Sequence, residues 1–256
     1  MIEAKTLKEL AGRQQTTMDN IVREYLQHLF LSSLYQEKKS ELLLFKGGTA
    51  LRLVWRSPRF SEDLDFTGSK ISIVQIETLM EAALEKVESE GIKTDIEESK
   101  KTSGGYLAIF HFKTNEYESG IQIEVSLRAE PKNAGVTSLV NSNLLPPYTL
   151  VHLDEPKLVG EKIQACLTRG KSRDFYDLYF MLRSRMAFKE TFLKDKTLKA
   201  KLLKAVKAQT LDLKSELKRF LPVNQHMLLK NLKSTLLTEI ERTFPSPINQ
   251  RIIRIS

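Results

Sequence analysis

The sequence predicts an α+β fold, with a mixed sheet flanked by helices over residues 1–147 and a mainly helical lobe over residues 148–256. Three observations carry that expectation. Alternating or short apolar runs of strand length are concentrated in the first part. A stretch rich in Pro, Asn and Ser, residues 131–147, reads as a loop and a domain boundary. Beyond it, apolar residues recur at helical spacing almost without interruption.

In chain order, residues 18–35 place Ile21, Val22, Tyr25, Leu26, Leu29, Phe30 and Leu34 on one face of an amphipathic helix that should support the core. Leu42-Leu43-Leu44-Phe45 reads as a buried strand entering a tight turn at Gly47-Gly48, and residues 49–55 as a short helix. Asp63-Leu64-Asp65-Phe66 alternates carboxylate with apolar residue, so a strand here buries Leu64 and Phe66 and presents both acids on its other face. Ser72 can cap a helix that Gly91 would stop. Residues 106–112 and 121–127 both alternate and predict an antiparallel hairpin. Its second strand sends Gln122, Glu124 and Ser126 to the face opposite its apolar side chains. Two helices follow the boundary, one with Leu158, Val159, Ile163 and Cys166, the other with Phe175, Leu178, Tyr179 and Leu182 and with Ser172 as its cap.

With 256 residues, 41% of them hydrophobic, the chain can bury a core, which excludes disorder throughout. The formal charge of +8 suits a polyanionic partner, although scattered lysines give the same total. The charge is unevenly spread: from Arg183 onward, 17 Lys or Arg face 6 Asp or Glu, so the preceding part is slightly acidic. An acidic, metal-binding lobe beside a basic lobe is the expectation. Cys166 is the sole cysteine, which rules out an intramolecular disulfide and a Cys-rich zinc site, and it reads as a small buried residue rather than a nucleophile. His28, His111, His152 and His226 fall on no metal-ligand spacing. No signal-peptide core and no run of about 18 apolar residues is present, which predicts a soluble cytoplasmic protein with no membrane partner.

Nucleotidyl transfer needs a backbone that can approach a triphosphate, divalent ions, and fixed acids to hold those ions. The run FKGGTALRLVWRSPRFSEDLDF supplies the first and the last. Gly47-Gly48 after a buried strand would let main-chain N–H groups reach phosphate oxygens, helped by the positive end of the short helix. Asp63 and Asp65 would repel one another in an apolar site without a cation between them, and Mg²⁺, or Mn²⁺ in its place, is the expected ion. Glu124 is the best-placed third acid, although taken alone it reads as a solvent-facing strand residue. The Walker pattern is absent, which argues against a P-loop ATPase.

The run Lys46-Gly47-Gly48-Thr49-Ala50-Leu51, followed by Arg59-x-Ser61-x-Asp63-Leu64-Asp65-Phe66, resembles the signature of the AbiEii/AbiGii-type nucleotidyltransferase toxins of the polymerase-β-like nucleotidyltransferase superfamily. Glu161-Lys162-Ile163-Gln164-Ala165 and Arg173-Asp174-Phe175-Tyr176-Asp177-Leu178 are similar to that family's later block, so the likeness spans residues 46–182. The resemblance implies a polymerase-β-like core followed by an all-helical lobe. It implies that Gly47, Gly48 and Thr49 contact nucleotide phosphates, that Ser61 lines the site, and that Asp63, Asp65 and Glu124 bind metal. It also implies that Lys162 and one or both of Asp174 and Asp177 complete the active site, Lys162 meeting the triphosphate and Asp177 orienting it or assisting proton removal. A helix-to-helix ion pair is the other reading of these last residues, and as a surface pair it would contribute only about 0–1 kcal/mol. Lys46 and Arg59 match the pattern, and each also reads as an ordinary flanking charge. Phe175, Tyr176 and Tyr179 read as packing rather than a stacking platform.

By resemblance the protein is the toxin of a toxin–antitoxin or phage-defence system, transferring nucleotides from an NTP to RNA, with tRNA the expected acceptor and a cognate antitoxin the expected partner. Two other readings stay open: a small-molecule nucleotidyltransferase, and a non-catalytic RNA-binding module.

Overall fold

Period-two alternation in the central strands decides the architecture, because it gives the sheet one apolar face and one polar face. In the computed structural model, which describes residues 1–128, 135–188, 190–210 and 212–244, the strands are β1 (Leu43–Lys46), β2 (Leu64–Gly68), β3 (Lys93–Thr102), β4 (Gly105–Lys113), β5 (Glu118–Ser126), β6 (Val136–Val140) and β7 (Tyr148–His152). Among the described residues they form one mixed sheet in the order β3-β4-β5-β2-β1-β7-β6. β2 runs parallel to β5 and β1 parallel to β7, and the other neighbours are antiparallel. The chain divides into two compact units, Met1–Asp154 with Phe220–Val223, and Glu155–Arg219 with the chain from Asn224 onward. No described helix is long and apolar enough to cross a membrane.

In the first unit, Phe45, Phe66, Val125 and Tyr106 share one register row, and Leu64, Ile123 and Ala108 the next. All seven are buried. Helix α1 (Ala4–Arg13) packs on α2 (Met18–Leu34), and α2 covers this face together with α4 (Ile73–Ser89). Phe30 of α2 meets Phe110 at 5.8 Å between ring centroids. Each fully buried aromatic or aliphatic side chain here contributes about 1.5–3 kcal/mol. Helix α2 begins where the Thr17 side chain accepts from the Asn20 N–H at 3.3 Å. It is buried on more than the expected face, because Glu24, Gln27 and His28 are enclosed as well. Ser72 caps α4 in a capping box with Gln75, and Gly91 ends the helix with φ of +84°, a left-handed conformation that glycine adopts without strain.

Three strands depart from the expected pattern. β3 is a charged edge strand with a bulge between Ile96 and Glu98, features that discourage pairing with other chains. β6 occupies part of the expected loop, of which residues 131–134 lie outside the described residues. β7 follows Pro147, where helices are expected, and pairs with β1.

The second unit is built on α5 (Glu155–Thr168) and α6 (Ser172–Arg183), with α7 (Glu190–Lys194), α8 (Lys196–Ala208), α9 (Leu213–Lys218) and α10 (His226–Thr243). Helix α10 packs on α6, α8 and α9 through Leu229, Leu232, Leu236 and Ile240. Helix α8 buries Leu198, Leu202 and Val206 and exposes Lys201, Lys204 and Lys207. Lys189, Arg251 and Arg254 of the basic region lie outside the described residues.

Candidate active site

The polar face of the sheet carries the acids. Lys46 of β1 pairs in register with Asp65 of β2, and Asp65 with Glu124 of β5. Directly paired residues on neighbouring strands point to the same side, so the row reads cation, carboxylate, carboxylate. Glu124 also accepts a hydrogen bond from the Gln122 amide at 2.6 Å. Asp63 is not part of this row: β2 starts at Leu64, so Asp63 belongs to the loop before the strand, against the expectation of one continuous strand from Asp63.

That loop is fixed from several directions. The Thr49 hydroxyl donates to the Asp63 carbonyl at 2.5 Å. The Gln27 amide donates to the carbonyls of Ser61 and Glu62 at 3.0 and 3.1 Å. Arg52, held at 2.6 Å by Glu24, donates to the carbonyls of Ser57 and Pro58. The Phe60 N–H donates to the Phe220 carbonyl at 2.8 Å. These bonds satisfy several backbone groups of a segment with no strand of its own. They also give the buried polar residues of α2 a task. Thr49 is fully buried, and its hydroxyl positions Asp63.

The glycine pair opens α3 (Gly47–Leu53), and its missing side chains make room for protein groups. Gly47 has φ of +83°, and a Cβ there would lie 2.0 Å from Asp65 Oδ2. A Cβ on Gly48 would lie 2.4 Å from Arg59 Nη2 and 2.7 Å from Ser61 Oγ. The two glycines therefore admit Asp65 on one side and Arg59 with Ser61 on the other, a reason for Gly-Gly beyond the expected approach of a phosphate.

Asp65 and Glu124 line a cavity of about 290 Å³ together with Lys46, Ser126, Arg128 and the β3–β4 turn at Thr102 and Gly104. The sequence reading passed over Arg128 and the turn. The available signals were a cation just past the acidic strand and a Gly104-Gly105 pair at the hairpin. The paired carboxylates are hard oxygen donors of the kind Mg²⁺ prefers. Among the described residues, however, no three His, Cys, Asp or Glu side chains are gathered as a metal cluster. The donor chemistry fits a divalent cation at Asp65 and Glu124, with Asp63 in the loop that enters β2 two residues before Asp65.

In the helical unit, Lys162 of α5 donates to Asp177 of α6 at 2.7 Å, and their side chains are only 10% and 1% exposed. Asp174 is fully buried, its oxygens accepting from Arg169 at 2.5 and 3.0 Å and from the Lys171 N–H at 3.0 Å. That bonding makes Asp174 the clamp of the α6 N-terminus, where the expectation is a catalytic role. Lys171, not Ser172, occupies the cap position, and the buried Ser172 hydroxyl has no hydrogen-bond partner among the described residues. Burial, reinforced by Asp174 and Asp177, pushes the Cys166 thiol up to about 12, so it is no nucleophile near neutral pH. Phe175 and Tyr176 are core residues. The structure thus brings Asp65 to Glu124 and Lys162 to Asp177, each pair within its own unit.

A mixed sheet presenting paired carboxylates beside a Gly-Gly turn suits nucleotidyl transfer, and the family match shows that this chain is a nucleotidyltransferase. Residues 29–246 match the family described as nucleotidyl transferase AbiEii toxin, type IV toxin–antitoxin system, and the chain belongs to that family. Its fold is similar to that of JHP933 from Helicobacter pylori, with a TM-score of 0.59 and 22% identity over 93% of this chain and 97% of that one. It is also similar to MenT4, a nucleotidyltransferase toxin of Mycobacterium tuberculosis H37Rv, with a TM-score of 0.63 and 17% identity over 98% of this chain and 93% of that one. No curated protein matches the sequence.

Proposed function

We propose that this toxin transfers a nucleotide from an NTP to RNA, with tRNA as the acceptor, in a Mg²⁺-dependent reaction in the cytoplasm, and that a cognate antitoxin counters it. The observation that carries this reading is the register row Lys46–Asp65–Glu124 beside the glycine turn. The acceptor hydroxyl gives its proton to solvent as its oxygen forms a bond to the α-phosphorus, the bond from that phosphorus to the bridging oxygen breaks, and pyrophosphate leaves with the electron pair. Asp65 and Glu124, with Asp63, would hold Mg²⁺, which would lower the pKa of the attacking hydroxyl and neutralise the leaving group. Lys46 places a positive charge beside the acids for phosphate oxygens. Lys162 is assigned to the triphosphate, with Asp177 holding its ammonium in place.

The charge on α8 supports a polyanionic acceptor. Lys201, Lys204 and Lys207 are exposed, whereas Lys199 is paired with Glu241 at 2.5 Å. Three phosphate contacts give a slope of about −2 for log affinity against log salt on single-stranded RNA.

The test is to incubate the protein with each labelled NTP, Mg²⁺ and either total RNA or small hydroxyl acceptors. Label is expected in tRNA, abolished in folded Asp63→Ala and Asp65→Ala and reduced in Glu124→Ala. Label only in small molecules overturns the RNA acceptor, and wild-type turnover by Asp65→Ala overturns the site.

A further inference from the structure

One cation lining the 290 Å³ cavity, Arg128, sits in a space left by a glycine. Arg128 lies two residues past β5, where the Leu127 N–H donates to the Gly104 carbonyl at 2.8 Å and draws the strand exit against the β3–β4 turn. A Cβ on Gly104 would lie 2.1 Å from Arg128 Nε and 2.7 Å from both Cζ and Nη2, so the guanidinium occupies the space a side chain would fill. The same cavity holds Asp65, Glu124 and Lys46. Among the described residues Arg128 makes no ion pair, although two carboxylates line the cavity with it.

A planar guanidinium offers parallel N–H donors matched to phosphate oxygens. A cavity with acids at one part and an arginine at another is complementary to a polyphosphate, whose metal-bound end meets the acids while its remaining oxygens meet the arginine. We propose that Arg128 binds the β- and γ-phosphates of the donor nucleotide and that Gly104 is glycine in order to seat it. This rests on the nucleotidyl-transfer reading of the site.

Two variants separate binding from folding. Arg128→Ala removes an exposed side chain and is expected to raise the KM for NTP by about 10- to 100-fold with a smaller change in kcat, the loss of a charge-assisted contact. Arg128→Lys is expected to restore only part of it, since an ammonium lacks the fork. Gly104→Ala meets only the far end of a flexible side chain and needs no left-handed backbone, unlike Gly105, where φ is +154° and a Cβ would lie 1.8 Å from the Val125 carbonyl oxygen. It should therefore fold normally, displace the guanidinium and raise KM in the wild type but not further in Arg128→Ala.

The experiment measures KM for NTP and for tRNA in these variants and, by calorimetry, the binding of inorganic tripolyphosphate to the full chain. Tripolyphosphate bound by the wild type and lost in Arg128→Ala supports the assignment even if no nucleotide is transferred, an outcome that would sink the transfer reading alone. Unchanged NTP KM and unchanged tripolyphosphate binding in Arg128→Ala overturn the assignment. So does a rise in KM confined to tRNA, or a wild type that binds neither NTP nor tripolyphosphate.

Discussion

Gly47→Ala tests whether the glycine turn exists for the sake of Asp65. The backbone there has φ of +83°, and placing an L-residue in the left-handed region costs about 1–2 kcal/mol. The new methyl group would begin 2.0 Å from Asp65 Oδ2 and 2.8 Å from its Cγ. Restoring an ordinary contact of 3.4 Å requires the carboxylate to move by about 1.4 Å, and a displacement of about 1 Å at a reacting centre can lower the rate about 100-fold. The expected result is a Tm lower by about 2–8 °C and kcat for nucleotide transfer lower by about 100-fold or more. Gly12→Ala is the control, because a Cβ there meets nothing within 4 Å. In an Asp65→Ala background, Gly47→Ala should still cost stability, since Asp65 Cβ remains 2.9 Å away, yet remove no further activity. A folded Gly47→Ala protein with wild-type kcat would refute the reasoning.

The remaining predictions concern buried charge. Lys162→Met takes the Lys162 ammonium away from the enclosed Asp177, so urea unfolding should show a loss of about 3–5 kcal/mol, not the 0–1 kcal/mol of a surface pair. Lys162→Met with Asp177→Leu should recover most of that stability while transfer stays abolished; recovery of transfer would remove the pair from the active site. Burial, and then the charge of Arg52, lowers the His28 pKa to about 4, so the native state keeps the ring neutral where the unfolded chain takes a proton. The stability is full above about pH 6.5 and falls as pH drops toward 4, by up to roughly 3 kcal/mol. His28→Gln should flatten that limb of the pH–stability curve, and an unchanged limb would place the titration elsewhere.

The parts of the fold legible in sequence were those where one physical signal dominates. Alternation in Ile121–Ser126 and in Leu64–Phe66 revealed the buried face and hence the side on which Glu124 and Asp65 lie. The cap at Ser72 and the stop at Gly91 were visible because both act through local backbone geometry. β3, with the sequence KTDIEESKKT, was not, since an edge strand exposed on most of its length has no apolar pattern to show. The roles of Gln27, Thr49 and Asp174 were equally hidden: each depends on which carbonyl or guanidinium arrives from elsewhere in the structure, and residue type does not encode that.

The hydrogen bond from Phe60 to Phe220 has a consequence for how the enzyme is made. The acceptor lies 160 positions further along the chain than the loop it holds. At about 5–20 residues per second, the ribosome needs roughly 8–32 s to travel between them. Throughout that interval the loop leading to Asp63 and Asp65 lacks one of its ties. A polypeptide ended by a premature stop before residue 220 would never gain it. Late completion therefore leaves nascent and truncated forms without the tie at Phe60 that the finished molecule has.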